Sequence, residues 1–211
     1  MERTTVATEI VSKAFSVHGH SLLEQANYAT IGTRVPKDYF VTTGKGESDI
    51  TVHAGSYHLA LRDAGIEMCN IITYSSILPA CANEVERPSE LIHGSVLETI
   101  MAVSTSRKGK RATAGIIWGW LYDRRGGERH GGLVCEYNGS LPAPKADEQL
   151  RESLQELYDN GYAESFELHN VELHLDSFIP QKRHGTAIVS LCFLNHYVPL
   201  LSWPMRLATA T

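Results

Sequence analysis

Apolar and polar positions along the chain follow two rhythms. Over 38–43, 67–74, 96–104, 112–122, 131–137, 166–176 and 186–194 the apolar residues are largely β-branched or aromatic and come in short runs, which predicts strands. Over 145–158 Leu150, Leu154 and Leu157 recur at helical spacing, which predicts a helix closed by Asn160-Gly161. A shorter helix is expected over 53–63, with Tyr57, Leu59, Ala60 and Leu61 as its apolar content and Gly65 as its stop. Thr43-Gly44-Lys45-Gly46 reads as the end of the first strand. The basic run Arg107-Lys108-Gly109-Lys110-Arg111 reads as a solvated hairpin turn between strands 96–104 and 112–122. Residues 1–37 carry no strong period and read as an arm with a short helix around 21–26. Strands outnumber helices and several are joined by short turns. The expected class is therefore α+β, a single domain over 38–211 with helices packed on largely antiparallel sheets.

Composition narrows the function classes. At 211 residues, with 43% apolar and 20% charged residues, the chain suits one water-soluble domain with a real core. A net charge of −5 and a pI near 6.0 argue against a nucleic-acid or anionic-membrane partner. No apolar stretch reaches transmembrane length, and Met1-Glu2-Arg3-Thr4-Thr5 lacks the apolar core of a signal peptide, so a cytoplasmic location is expected. Cys69, Cys81, Cys135 and Cys192 lie far apart with no CxxC pair, which reads as free thiols in a reducing compartment. The ten histidines are scattered and complete no ligand set, so no metal is expected.

The candidate chemistry lies in Thr73-Tyr74-Ser75-Ser76-Ile77-Leu78-Pro79. A serine pair at a strand end is ordinarily turn chemistry. It also permits a second reaction. The Ser76 hydroxyl can add to the Ser75 carbonyl and convert the amide to an ester. β-Elimination then breaks the chain, and the new N-terminus loses ammonia to become a pyruvoyl group, a built-in ketone that condenses with amines.

The flanking residues decide between these readings. The segment Asp63-Ala64-Gly65-Ile66-Glu67-Met68-Cys69-Asn70-Ile71-Ile72-Thr73-Tyr74-Ser75-Ser76-Ile77-Leu78-Pro79 resembles the processing segment of pyruvoyl-dependent arginine decarboxylases. Thr43-Gly44-Lys45-Gly46-Glu47-Ser48 resembles the family's glycine-rich turn. His93-Gly94-Ser95-Val96-Leu97-Glu98 with Ile100-Met101-Ala102 resembles the following strand, and Gly132-Leu133-Val134-Cys135-Glu136-Tyr137 the strand carrying the catalytic acid. Four blocks in order, spanning roughly residues 38–197, are far more specific than one dipeptide.

The resemblance implies an αββα sandwich and a proenzyme cut between Ser75 and Ser76. The β chain would be 1–75, and the α chain, 76–211, would be headed by a pyruvoyl cofactor made from Ser76. It implies an amino-acid decarboxylase, with arginine converted to agmatine. It further implies a homotrimer of αβ units, or two stacked trimers, with no nucleic acid, membrane or metal partner. Polyamine supply and acid resistance both fit a reaction that consumes a proton. Glu136 matches the acid that protonates the substrate carbon, which requires a carboxyl kept neutral by burial. A strand residue on the other face would instead be an outward salt-bridge partner. Asn70 matches a residue of processing and of the active site. Fully extended, Asn70 and Ser76 would lie about 20 Å apart, so Asn70 either meets Ser76 through a sharp bend or serves a neighbouring subunit.

One position departs from the pattern. The family's guanidinium-binding aspartate, twelve residues before the asparagine, is here His58. An imidazole does not pair with guanidinium as a carboxylate does. The substrate side of the site is then expected to comprise His58, Gly65 and Ile77, with Asp49, Glu47 or Asp63 as replacement charges if arginine remains the substrate. The alternatives are an altered pocket for another amino acid, or an unprocessed non-catalytic homologue. A serine hydrolase is disfavoured, because no Gly-x-Ser-x-Gly elbow surrounds either serine.

Overall fold

A computed structural model describes residues 33–198. In chain order these form β1 (Val35–Pro36), β2 (Asp38–Ser48), a π-helical turn (Val52–Tyr57), α1 (His58–Asp63), β3 (Asn70–Thr73), β4 (Ile77–Pro79), β5 (Asn83–Glu84) and β6 (Val96–Arg107). There follow β7 (Ala112–Asp123), β8 (Arg129–Gly139), α2 (Ala143–Gly161), β9 (Phe166–Phe178), β10 (His184–Phe193) and β11 (His196–Tyr197). The first ten residues of β7 are all buried, as happens for a strand covered on both faces in the middle of a sheet. It lies inside a four-stranded antiparallel sheet ordered β4-β8-β7-β9. The other sheet is ordered β3-β6-β10-β2-β5, antiparallel at its centre and parallel at both edges.

Three apolar clusters bind four layers. Phe40, Ala60, Leu61, Leu97, Ile188 and Cys192 join α1 to the outer face of the five-stranded sheet. Tyr39, Ile100, Ala102, Ile116, Trp118, Val134 and Val189 fill the space between the sheets. Leu150 and Leu154 seat α2 on Ile117, Leu121 and Leu133. The expected α+β class and the helix–sheet–sheet–helix order both hold. Gly65 closes α1 as expected: it sits at φ 70°, with the Ile66 amide donating to the Leu61 carbonyl and the Gly65 amide to that of Arg62.

Several sequence expectations are corrected. β2 does not end at residue 43; it runs on through Gly44 and Gly46, in register with Ile188 and Thr186 of β10. These glycines are not turn residues. A Cβ on Gly46 would lie 2.1 Å from the Ser56 carbonyl oxygen and 2.4 Å from the Ala60 nitrogen. They are where helix backbone rests on strand backbone. Gly46→Ala must lift the helical segment from the sheet, with an expected loss of about 2 kcal/mol or more, read as a lower denaturant midpoint. An unchanged midpoint would contradict this seating.

The basic turn over 107–111 is not a hairpin. β6 pairs with β3 and β10, whereas β7 pairs with β8 and β9, so the turn carries the chain from one sheet to the other. The apolar faces of β6 and β7 meet across the core instead of side by side. The helix expected over 53–63 begins with a π-helical turn. The helix expected over 145–158 runs to Gly161. The run expected over 67–74 is strand only over Asn70–Thr73. β1 and β11, which pair with each other, were not expected. The helix expected over 21–26 lies outside the described residues.

Candidate active site

The serine pair sits where the chain leaves one sheet for the other. β3 is the edge strand of the five-stranded sheet and β4 the edge strand of the four-stranded one. On the first side Thr73 pairs with Thr99, and the Tyr74 amide donates to the Thr99 carbonyl at 2.7 Å. On the second side Ile77 pairs with Leu133, and the Val134 amide donates to the Ser76 carbonyl at 3.1 Å. The Ser75–Ser76 peptide thus spans a gap between two anchored strands. The Ile77 amide donates to the Ser75 carbonyl at 3.0 Å, which closes a three-residue turn centred on Ser76. The carbonyl that self-cleavage would attack therefore already carries a hydrogen-bond donor.

Glu136 completes this arrangement. Along β8, Leu133 packs toward α2 and Val134 toward the space between the sheets. Strand alternation puts Glu136 on the Val134 side. There its carboxylate receives the Ser76 hydroxyl, at 2.7 Å to Oε1 and 2.9 Å to Oε2. A hydroxyl has one proton, so the two oxygens share it. Glu136 is half-buried, and among the described residues no basic side chain forms a salt bridge with it. The outward salt-bridge alternative is not what forms. Next to it, burial pushes the Cys135 thiol up to about 11, with the Glu136 carboxylate adding to the effect. Cys135 is therefore a neutral thiol and a poor competing nucleophile.

The remaining candidates do not gather around Ser76 within one protomer. Asn70 is exposed and donates through Nδ2 to the Gly94 carbonyl at 2.9 Å. β3 holds it extended, away from the serines. His58 is exposed at the start of α1, on the outer side of the five-stranded sheet. Gly65 ends that helix, and its carbonyl faces the Arg87 guanidinium. Asp49 lies beyond the end of β2 and accepts the Arg183 amide at 3.1 Å. The row Ser48–His184–Arg107 is eight residues from the row Phe40–Cys192–Thr99, about 25 Å along the strands. Glu47 accepts the Gln181 amide, and Asp63 the Lys45 amide at 2.8 Å. Ile77 alone joins the pair directly, with its side chain 55% exposed.

Sequence reasoning missed a second acid. Glu98 on β6 is only 4% exposed and receives the Tyr74 hydroxyl on Oε2. The Arg34 guanidinium abuts its other oxygen. His196 Nε2 approaches Oε2 at 2.5 Å without the alignment of a hydrogen bond. A carboxylate inside the apolar run Leu97-Glu98-Thr99-Ile100 was the available signal. The amides of Ile77 and Val134 left none, because every residue carries one.

Among the described residues two depressions lie away from the serines, one along α2 from Arg151 to Asn160 and one between Val103–Arg111 and Asn138–Ser140. The serines themselves sit where two edge strands meet. Around them Ile72 and Val96 are 46% and 59% exposed.

Comparison with known proteins agrees with this geometry. Residues 38–198 match the pyruvoyl-dependent arginine decarboxylase family. The pyruvoyl-dependent arginine decarboxylases AaxB of Chlamydia trachomatis serovar L2 and Chlamydia caviae are each 34% identical to the chain, covering 78% of it and 93% of the relative. The pyruvoyl-dependent arginine decarboxylase of Methanopyrus kandleri is 41% identical over a shorter stretch, 35% of this chain and 47% of the relative. The match contains both halves of the site, Ser76 at the sheet crossing and Glu136 on the facing strand. The chain belongs to the pyruvoyl-dependent arginine decarboxylase family.

Proposed function

We propose that the protein is made as a proenzyme, cuts itself between Ser75 and Ser76, and then decarboxylates arginine to agmatine. The observation that carries this is the Ser76 hydroxyl resting on the Glu136 carboxylate beside a Ser75 carbonyl that already has a donor. Glu136 takes the Oγ proton as Oγ bonds to the Ser75 carbonyl carbon. The Ile77 amide supports the charge that develops on the carbonyl oxygen. The Ser75–Ser76 C–N bond breaks and its nitrogen takes a proton, leaving an ester. Loss of the Ser76 α-proton and of the Cβ–Oγ bond then frees Ser75 as a carboxylate. Water replaces the nitrogen of residue 76, and ammonia departs. The products are a β chain of 1–75 and an α chain of 76–211.

The residues present fit a pyruvoyl group at position 76. The Val134 N–H, which bonds the Ser76 carbonyl, would hold the group's amide carbonyl, and Glu136, which accepts the Ser76 hydroxyl, would lie beside it. When formed, the group supplies the electron sink for decarboxylation. Val134 N–H steadies the carbonyl beside it. Glu136, in reach of the same point, delivers a proton to the substrate α-carbon after carbon dioxide leaves.

The working unit is a homotrimer of αβ units, or two stacked trimers. Support comes from the edge strand β3 with exposed Ile72, from exposed Val96 and Ile77 beside it, and from Asn70, whose exposed side chain bonds the Gly94 carbonyl and not Ser76. Asn70 then serves a neighbouring subunit's site. The division proposed is an arm over 1–37 and a decarboxylase domain over 38–211, of which residues 33–198 are described. No helix among the described residues is long and apolar enough to cross a membrane, and a cytoplasmic location suits four free thiols.

Arginine is favoured by the similarity to arginine decarboxylases over 78% of this chain and 93% of the relatives. By the family pattern His58 takes the place of the guanidinium-binding aspartate, and since it does not join Ser76 within one protomer it would serve a neighbouring subunit's site. His58→Asp is expected to lower the KM for arginine roughly tenfold, the worth of one charge-assisted hydrogen bond, with little change in kcat. Carbon dioxide release across the amino acids, with wild type and variant, checks both points. Strong turnover of arginine with no gain from His58→Asp would remove His58 from the guanidinium end. Preference for another amino acid would overturn the arginine assignment itself.

A further inference from the structure

The scissile peptide is suspended between two sheets, and its two ends are held differently. Beyond Ser76 the grip is the pairing of β4 with β8. Before Ser75 the pairing of β3 with β6 ends at Thr73, and the last hold on the chain is Tyr74. Its amide bonds to the Thr99 carbonyl, its hydroxyl bonds to Glu98, and its ring packs on Phe193 with centroids 5.6 Å apart. Glu98 is the unusual member. A carboxylate 4% exposed is costly to bury unless it is paired, yet Tyr74, Arg34 and His196 all converge on it. It lies on the side of β6 that faces the other sheet, the side of Ile100 and Ala102. Buried charge at this point implies a demand for fixed geometry.

We infer that Glu98 is a positioning residue for self-cleavage: through the Tyr74 hydroxyl it fixes the near end of the Ser75–Ser76 peptide against the Ser76–Glu136 end. The attack needs Oγ and the Ser75 carbonyl carbon in near-contact, and small displacements of one anchor cost rate steeply. Thr99 controls the height of Tyr74 along the strand. The Glu98 bond stops Tyr74 from rotating out of the inter-sheet space and carrying Ser75 with it. Glu98 touches neither the attacking oxygen nor the carbonyl among the described contacts, so its effect passes through Tyr74.

This inference rests on the self-cleavage reading above, and the test separates the two. The full-length proenzyme is expressed, and the fraction cut at Ser75/Ser76 is followed over time by intact mass. Tyr74→Phe removes one oxygen and leaves the ring packed on Phe193. It is expected to slow cleavage roughly tenfold. Glu98→Ala should slow it by a similar factor, and Tyr74→Phe/Glu98→Ala no further than either alone. Glu98→Gln keeps an oxygen for the Tyr74 hydroxyl and should cleave near the wild-type rate. Cleavage of Tyr74→Phe at the wild-type rate, or multiplying losses in the double variant, overturns the inference. If Glu98→Ala does not fold, Tyr74→Phe and Glu98→Gln decide alone. A wild-type protein that never cleaves would refute the self-cleavage reading instead.

Discussion

Ser76→Ala is expected to leave a single chain near 23.3 kDa and to reduce decarboxylation to background, while the wild-type protein is expected to give two fragments that divide at Ser75/Ser76. The expected effect is total because the substitution acts twice. Without Oγ no bond forms to the Ser75 carbonyl carbon, so the backbone stays closed. Without cleavage residue 76 never becomes a ketone, and the protein has no electron sink for the carboxylate it should remove. The fold should survive, since Ser76 is tied in through its carbonyl and through β4, which the variant keeps. Ser75→Ala is the informative partner. Ser75 contributes its carbonyl, and its side chain is exposed, so this variant should still cleave. Intact-mass analysis of both reads the result directly. Two fragments from Ser76→Ala would sink the assignment of the nucleophile. Loss of cleavage in Ser75→Ala alone would exchange the roles of the serines.

Glu136→Gln should be the next most damaging change. Glutamine still accepts a hydrogen bond from Ser76, so the local structure is retained. It neither takes the Oγ proton nor supplies one to the substrate. Slower cleavage is therefore expected together with a fall of roughly 10²–10⁴-fold in turnover per cleaved chain, the usual range for a general acid–base group. Carbon dioxide release normalised to the cleaved fraction separates the two effects. Slow cleavage with normal turnover per cleaved chain would confine Glu136 to processing and require another acid for the substrate carbon. Normal cleavage with slow turnover would confine it to the second reaction.

The parts of this protein visible in its residue order are those set by short-range physics. Alternation and β-branched runs marked the long strands, helical spacing of Leu150 and Leu154 marked α2, and Gly65 announced the end of α1 through a backbone angle that glycine adopts easily. The misreadings share one cause. Gly44 and Gly46 read as a turn in the sequence because a glycine there shows only its freedom. The helix pressed against them, which makes the missing Cβ matter, comes from another part of the chain. The basic turn after β6 reads as a hairpin in the sequence because neighbouring strands usually pair. Here β6 and β7 have better partners in two different sheets.

The same division runs through the site. Ser75-Ser76 and Glu136 could be named from the chain because reactive groups belong to residue types, and four ordered blocks tied them to one chemistry. Their meeting could not be, because 60 residues separate Ser76 from Glu136. The 2.7 Å contact exists only because β4 lies beside β8 and strand alternation turns Glu136 toward the space between the sheets. The Val134 amide owes its role to that register and the Ile77 amide to the local turn at Ser76, and a backbone N–H has no sequence signature in either place. Glu98 shows the reverse case: its residue type was plain, but its burial against Tyr74 was not. Local chemistry thus set what can react. The crossing between two sheets decided which acid meets the Ser76 hydroxyl, because only packing brings groups 60 residues apart within hydrogen-bonding distance.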